Sequence, residues 1–175
     1  MQLVGERNLP LPREVVWSAL NDMEVLKACV PGCESITELE EGKYEVSMHT
    51  AIGPIKARFK GTIQITDPVA PQGYSMLFEG SGGAAGFARG ASHVNLAELE
   101  DGNTLLTYTT EAKIGGKLAQ IGARLIDSAA RVMADRFFDA FVKALAPEEE
   151  AVTEGEVEEN RANGIKGVWN RLRGA

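Results

Sequence analysis

Cysteine is nearly absent from this 175-residue chain, with Cys29 and Cys33 the two present. Two thiols make no disulfide framework. A zinc site built on them needs two further ligands, and the only histidines, His49 and His93, are distant in sequence. Small buried thiols are the expectation at both positions. The same scarcity of histidine leaves no Ser/His/Asp or Cys/His triad to assemble, so strand-face histidines are expected. No run of roughly 18 apolar residues occurs, so no segment is expected to span a membrane. The opening MQLVGERNLP carries Glu6 and no apolar core stretch, which argues against a signal peptide and for a cytoplasmic chain. Positive charge is short as well: 18 Lys and Arg stand against 25 Asp and Glu, a net charge of −7, which argues against nucleic acid as the main partner.

What is present reads as one domain with a long acidic exit. Residues 1–146 carry 18 acidic and 14 basic side chains, residues 147–163 carry seven Glu and one Arg, and residues 164–175 carry Lys166, Arg171 and Arg173. The first block has the size of an ordinary single domain. The second, PEEEAVTEGEVEENRAN, is acidic and poor in large apolar residues, which predicts a flexible linker. Fully stretched it would reach roughly 55–60 Å at about 3.3–3.6 Å per residue. The third, GIKGVWNRLRGA, recovers a helical pattern, with Ile165, Val168, Trp169 and Leu172 at i, i+3, i+4 and i+7 and Lys166, Asn170, Arg171 and Arg173 opposite. So short a helix is marginal in water and needs an apolar surface to fold on. A bilayer face or a partner groove is the expected surface, with packing back on its own domain or disorder as the rival readings, and each cation near an anionic leaflet adds about 1 kcal/mol.

Within residues 1–146 the patterning switches between strand and helix periods three times. Met1–Leu9 reads as a strand, LPREVVWSALND as a short helix opened by Pro12, and MEVLKACVPGC as a second short helix ended by Pro31 and Gly32. Alternation then takes over in Lys43–Ala51, Pro54–Thr66, Tyr74–Glu79, Gly86–Leu99 and Thr104–Ile114. It is cleanest where Ile55, Ala57, Phe59, Ile63 and Ile65 alternate with Lys56, Arg58, Lys60, Thr62 and Gln64, the signature of a strand with one wet face. Glu41-Gly42, Gly53-Pro54 and Asp101-Gly102 mark turns. The glycine-rich segment 80–90, GSGGAAGFARG, lacks the Lys-Ser/Thr of a P-loop and is not G-x-G-x-x-G. It predicts a loop or bulged strand pair whose glycines could border a cavity mouth.

Residues 116–146 predict one long helix. Its wheel places Leu118, Ile121, Gly122, Leu125, Ala129, Val132 and Met133 on one face, then moves the apolar side to Phe137, Phe138, Phe141, Val142 and Leu145. The small-residue first half is expected to roof a cavity, and the aromatic second half to close the core. The fold class is therefore α+β, with helices segregated from an antiparallel sheet. Nothing in the residues demands catalysis, and a container fits better than an enzyme.

The motifs P-x-x-x-V-W at Pro12–Trp17, ACVPGCES at Ala28–Ser35, GPIKARFKGTI at Gly53–Ile63 and GSGGAAGFARGAS at Gly80–Ser92 resemble the family of carbon monoxide dehydrogenase G-subunits. That family sits within the helix-grip superfamily of START- and Bet v 1-like domains (SRPBCC). The resemblance implies a seven-stranded antiparallel sheet gripping the carboxy-terminal helix over an apolar cavity. It implies a non-catalytic accessory protein of a molybdenum hydroxylase of the carbon monoxide dehydrogenase type. It implies a lipophilic ligand, menaquinone or another isoprenoid quinone, and recruitment to the inner membrane face through the tail. By strand and helix parity the candidate cavity lining is Met48, Phe59, Met76, Phe78, Tyr108, Leu118 and Leu125, with ordinary core as the rival reading of each. The candidate membrane or partner residues are Ile165, Lys166, Val168, Trp169, Arg171, Leu172 and Arg173. Two other functions share the fold: a polyketide cyclase- or aromatase-like enzyme, which would need Glu79, Arg89 and His93 to converge in the cavity, and a ligand-free recruitment or maturation module with a filled core.

Overall fold

Strict side-chain alternation fixes which face of each strand turns inward, and seven strands share one inward face. The computed structural model describes residues 1–146; the acidic linker at 147–163 and the amphipathic tail at 164–175 lie outside the described residues. The order is β1 (Gln2–Leu9), α1 (Arg13–Leu20), α2 (Met23–Cys29), β2 (Cys33–Glu40), β3 (Lys43–Ile52), β4 (Ile55–Val69), β5 (Gly73–Ser81), β6 (Phe87–Glu98), β7 (Thr104–Gly115), α3 (Lys117–Gln120) and α4 (Ala123–Leu145). A single 3-10 turn, Gly83–Ala85, joins β5 to β6, so the glycine-rich segment is a strand end, a tight connection and a strand start.

The sheet is antiparallel throughout, in the order β1-β7-β6-β5-β4-β3-β2. Strands β2 to β7 form a meander, and β1 closes onto β7 at the far edge. The chain must therefore cross from one sheet edge to the other between β1 and β2, and the two short helices make that crossing. Helix α1 packs on β6 and α2 on β2. Pro12 proves to be the residue before the first turn of α1, extended at φ −65° and ψ 149°, one position earlier than its sequence reading. Asp22 caps α2, accepting hydrogen bonds from the backbone N–H groups of Glu24 (3.0 Å) and Val25 (3.4 Å).

Strand β2 is absent from the residue-based reading because Glu34, Glu38 and Glu40 dilute its alternation. It is an edge strand, where acidic side chains guard unpaired backbone against another chain. Glu34 also accepts two hydrogen bonds from Arg58 of β4, at 2.8 and 3.1 Å, across the outer face.

The expected single helix over 116–146 is two. Helix α3 ends at Gln120, and Gly122 adopts φ +98°, a conformation that a side chain would strain. The break resets the helical phase. A wheel drawn through it misplaces the buried stripe of α4, which runs through Ile126, Phe138 and Phe141, while Leu125 (50% exposed) and Val132 (45%) face outward. The midway rotation inferred for the apolar stripe is thus a discontinuity at Gly122.

Burial is lopsided. The most deeply buried inward side chains are Leu3 and Leu9 of β1, Tyr74 of β5, Val94 and Leu96 of β6 and Leu106 of β7, with Val16 and Leu20 of α1 and Phe138 and Phe141 of α4 buried as well. On β3 and β4 the inward-facing Tyr44, Val46, Met48, Ile63 and Ile65 are only half-buried. No β1 residue borders the hollow, which extends across the inner face from β7 to β3.

Candidate functional site

Cross-strand register lays the inner face out in rows. Tyr74, Val94 and Tyr108 form one row, and Ile65, Met76, Ser92 and Thr110 the next. Then come Tyr44, Ile63, Phe78, Gly90 and Ala112, and beyond them Val46, Gly61, Gly80, Ala88 and Ile114. The rows pass from hydroxyl-bearing to small and apolar. The hollow follows them as two adjoining chambers.

The larger chamber has a volume of about 370 Å³, within the roughly 300–1,000 Å³ of small-molecule pockets. Leu20, Met23, Leu26 and Val30 of the two-helix crossing form one wall, and Met133, Ala134, Phe137 and Phe138 of α4 form the roof. The first two sheet rows and Tyr44 make its floor. Not one of its lining residues carries a charge. Its polar groups are Asn21, three tyrosines and the Ser92–Thr110 pair, whose hydroxyl oxygens lie 2.7 Å apart. One of these two hydroxyls donates to the other, leaving the second hydrogen free to meet a ligand. Burial pushes the Tyr74 phenol up to about 12, so it is a neutral donor at physiological pH. Trp17 packs edge-on against Tyr74 at 5.9 Å between ring centroids.

An aromatic chain closes the end of this chamber. Tyr108 stacks on Phe138 at 6.1 Å, and Phe138 meets Phe137 edge-on at 5.1 Å. The Arg7 guanidinium lies 5.2 Å from the Phe138 ring centroid and pairs with Asp135, fastening α4 to β1 beside the chamber. Gly5 leaves the room that Tyr108 fills, since a Cβ there would come within 2.5 Å of the phenol oxygen.

The smaller chamber, about 220 Å³, lies beneath Leu118 of α3. Met48, Ile52, Phe59 and Phe78 line it, and Val46, Ile63 and Met133 border both chambers. Its floor includes Gly61, Gly80 and Ala88.

Six of the seven candidate lining residues border this hollow: Met76 and Tyr108 the larger chamber, Met48, Phe59, Phe78 and Leu118 the smaller. Leu125 borders neither chamber, because the Gly122 break turns it to solvent. The larger chamber also lies under Met133–Phe138, further along α4 than the expected first half. Sequence parity missed Tyr44, Ser92 and Thr110, although each shares the inward alternation of its strand. It had no signal for Leu20, Met23 and Leu26, which reach the cavity only because the helix pair crosses the sheet. The tail candidates Ile165, Lys166, Val168, Trp169, Arg171, Leu172 and Arg173 lie outside the described residues.

Glu79 and Arg89 are cross-strand partners on the outer face, and His93 stands on that same face with its Nδ1 2.9 Å from Ser75 Oγ. These three do not converge in the cavity. His49 is likewise exposed on the outer face. Cys29 is buried and Cys33 half-buried, and burial raises the pKa of both thiols, which keeps them protonated and unreactive. Among the described residues no three His, Cys, Asp or Glu side chains group to hold a metal ion, and no helix is long and apolar enough to cross a membrane.

The sequence model of the family of carbon monoxide dehydrogenase G-subunits (CoxG) matches residues 5–146. A comparison with curated proteins gives no match. Among solved structures, a conserved protein from Geobacillus kaustophilus is 33% identical with a TM-score of 0.79, over 82% of this chain and 94% of its own. The Zhui aromatase/cyclase from Streptomyces sp. R1128 is 12% identical with a TM-score of 0.61, over 82% of this chain and 92% of its own. Protein Ms6760 from Mycobacterium smegmatis is 17% identical with a TM-score of 0.63, over 85% and 93%. The last two likenesses are of fold alone.

Proposed function

Because the chain belongs to the carbon monoxide dehydrogenase CoxG family, we propose that it is a non-catalytic accessory protein of a molybdenum hydroxylase of the carbon monoxide dehydrogenase type, holding a lipophilic ligand and bringing the enzyme to the inner face of the cell membrane. The observation that carries this reading is the larger chamber: about 370 Å³ of space with an uncharged lining. Burying apolar ligand surface there contributes roughly 25 cal/mol per Å².

The ligand class follows from the lining. A respiratory quinone, menaquinone or another isoprenoid quinone, presents a flat apolar ring with two carbonyl oxygens that accept hydrogen bonds. Tyr44, Tyr74, Tyr108 and the Ser92–Thr110 pair bring hydroxyl-bearing side chains to the chamber's otherwise apolar walls. Phe137 and Phe138 give the ring aromatic surface to stack on. A bound quinone would supply two-electron redox chemistry between the enzyme and the membrane pool. The chain's own residues bind it, orient it and exclude water from it. The tail at 164–175 would seat on the anionic leaflet, with the acidic linker as tether.

The reading favours a binder over a cyclase because Glu79, Arg89 and His93 stand on the outer face of the sheet. Solvent extraction of the protein purified from a quinone-containing host, followed by mass spectrometry, tests it. One isoprenoid quinone per chain is the expected result. Extracts without any lipophile, from protein that also takes up none when offered, would remove the reading.

A further inference from the structure

Two glycines of the inner face are dictated by backbone crowding. A Cβ added at Gly61 would overlap the carbonyl oxygen of Glu79, and one added at Gly90 would overlap that of Glu111. Gly80 is different. An added Cβ would meet nothing nearer than the Lys60 carbonyl oxygen at 3.7 Å, ordinary van der Waals contact, and its φ lies outside the left-handed region. Glycine in a strand is destabilising, since it loses more chain entropy on folding and packs no side chain. Neither conformation nor crowding calls for it at position 80. What it leaves is space: Gly80 faces inward beside Ala88 on β6, and the two form the floor of the smaller chamber.

The two chambers differ in chemistry as well as place. The larger contains the three tyrosines and the Ser92–Thr110 pair. The smaller draws its inward-facing walls from Met48, Phe59, Phe78 and Leu118. Lys60 and Glu79 border it through their backbone, since their side chains alternate to the outer face, where Lys60 pairs with Glu45 at 3.8 Å. Val46, Ile63 and Met133 stand at the junction of the two spaces.

We propose that the smaller chamber is a separate subsite for the hydrocarbon chain of an amphiphilic ligand whose flat, hydrogen-bond-accepting head occupies the tyrosine-lined chamber, and that Gly80 and Ala88 set how much chain is accepted. This rests on the reading of the cavity as a lipophile site and adds the ligand's orientation and two specificity-determining positions.

The test is a chain-length series: 2-methyl-1,4-naphthoquinone, and its homologues with one and two isoprenoid units on the adjacent ring carbon, titrated into the full chain by quenching of tryptophan fluorescence. The wild type should bind the two-unit homologue at least tenfold more tightly than the bare ring. Gly80→Leu should reduce that advantage to less than threefold and leave affinity for the bare ring within twofold. Ala88→Leu fills the same chamber from the neighbouring strand and should do the same, while Ala91→Leu on the outer face should change nothing. Retained ring affinity and an unchanged melting temperature report that each variant is folded. If chain length makes no difference in the wild type, or if filling the chamber weakens ring and homologue alike, the subsite assignment is wrong and ring binding still stands. If the wild type binds no member of the series, the lipophile reading itself falls, and the subsite with it.

Discussion

Tyr74 shows how a single side chain is tied to its surroundings. It is 6% exposed, packed against Trp17, and its phenol is pushed up to about 12 by burial. An unfolded tyrosine titrates near 10. Above that pH the unfolded chain loses this proton while the folded chain keeps it, so the contribution to stability is full below about pH 10 and gone by about pH 12. At about 1.4 kcal/mol per unit, the loss across that window is roughly 2–3 kcal/mol. Urea unfolding between pH 9 and 12 should show this fall in the wild type and lack that component in Tyr74→Phe. An identical pH profile for both proteins would mean that the phenol is better solvated than its position implies.

At the scale of elements, α4 depends on where its phase begins. The residue periodicity of 116–146 is legible in the sequence, and so are the strands with clean alternation, such as Ile55, Ala57, Phe59, Ile63 and Ile65 of β4. What stays hidden is conformational: Gly122 at φ +98° separates α3 from α4, and no composition rule distinguishes a glycine tolerated in a helix from one that breaks it. The inward residue is therefore Ile126, 8% exposed, rather than Leu125, 50% exposed. Ile126→Ala should destabilise the domain by about 2–5 kcal/mol, and Leu125→Ala by about 0.5 kcal/mol or less. Denaturant midpoints for the two variants decide between a broken and a continuous helix, since a continuous one would make Leu125 the costlier loss. The same reasoning explains the site. Met48, Phe59, Met76, Phe78 and Tyr108 follow from strand parity, whereas Leu20, Met23 and Leu26 depend on helices that cross the sheet between its two edges. That crossing is a property of strand order, which local pattern does not encode.

At the scale of the molecule, the asymmetry of packing matters most. Leu9, Leu96, Leu106 and Phe141 are almost completely buried and no β1 residue borders the hollow, while the inner faces of β3 and β4 are only half-buried beside it. These deeply buried residues can hold the sheet and α4 in place around the hollow, which is what the proposed ligand container requires. The proposed membrane attachment through the amphipathic pattern at Ile165, Val168, Trp169 and Leu172 would be a second, separable function. Removing residues 164–175 should abolish co-sedimentation with anionic liposomes and leave ligand binding within about twofold. Unchanged co-sedimentation would remove the anchor from the account.

The central claim is that the space beside Val46, Ile63 and Met133 binds a lipophile. Val46 borders both chambers, so Val46→Trp puts a large side chain at their junction. The most direct measurement is a titration of the two-unit naphthoquinone homologue into wild type and Val46→Trp, alongside thermal melts of both. Saturation at one ligand per wild-type chain, with affinity at least tenfold weaker in a folded Val46→Trp, is the expected result. Equal affinity in the two proteins, or none in the wild type, would contradict it.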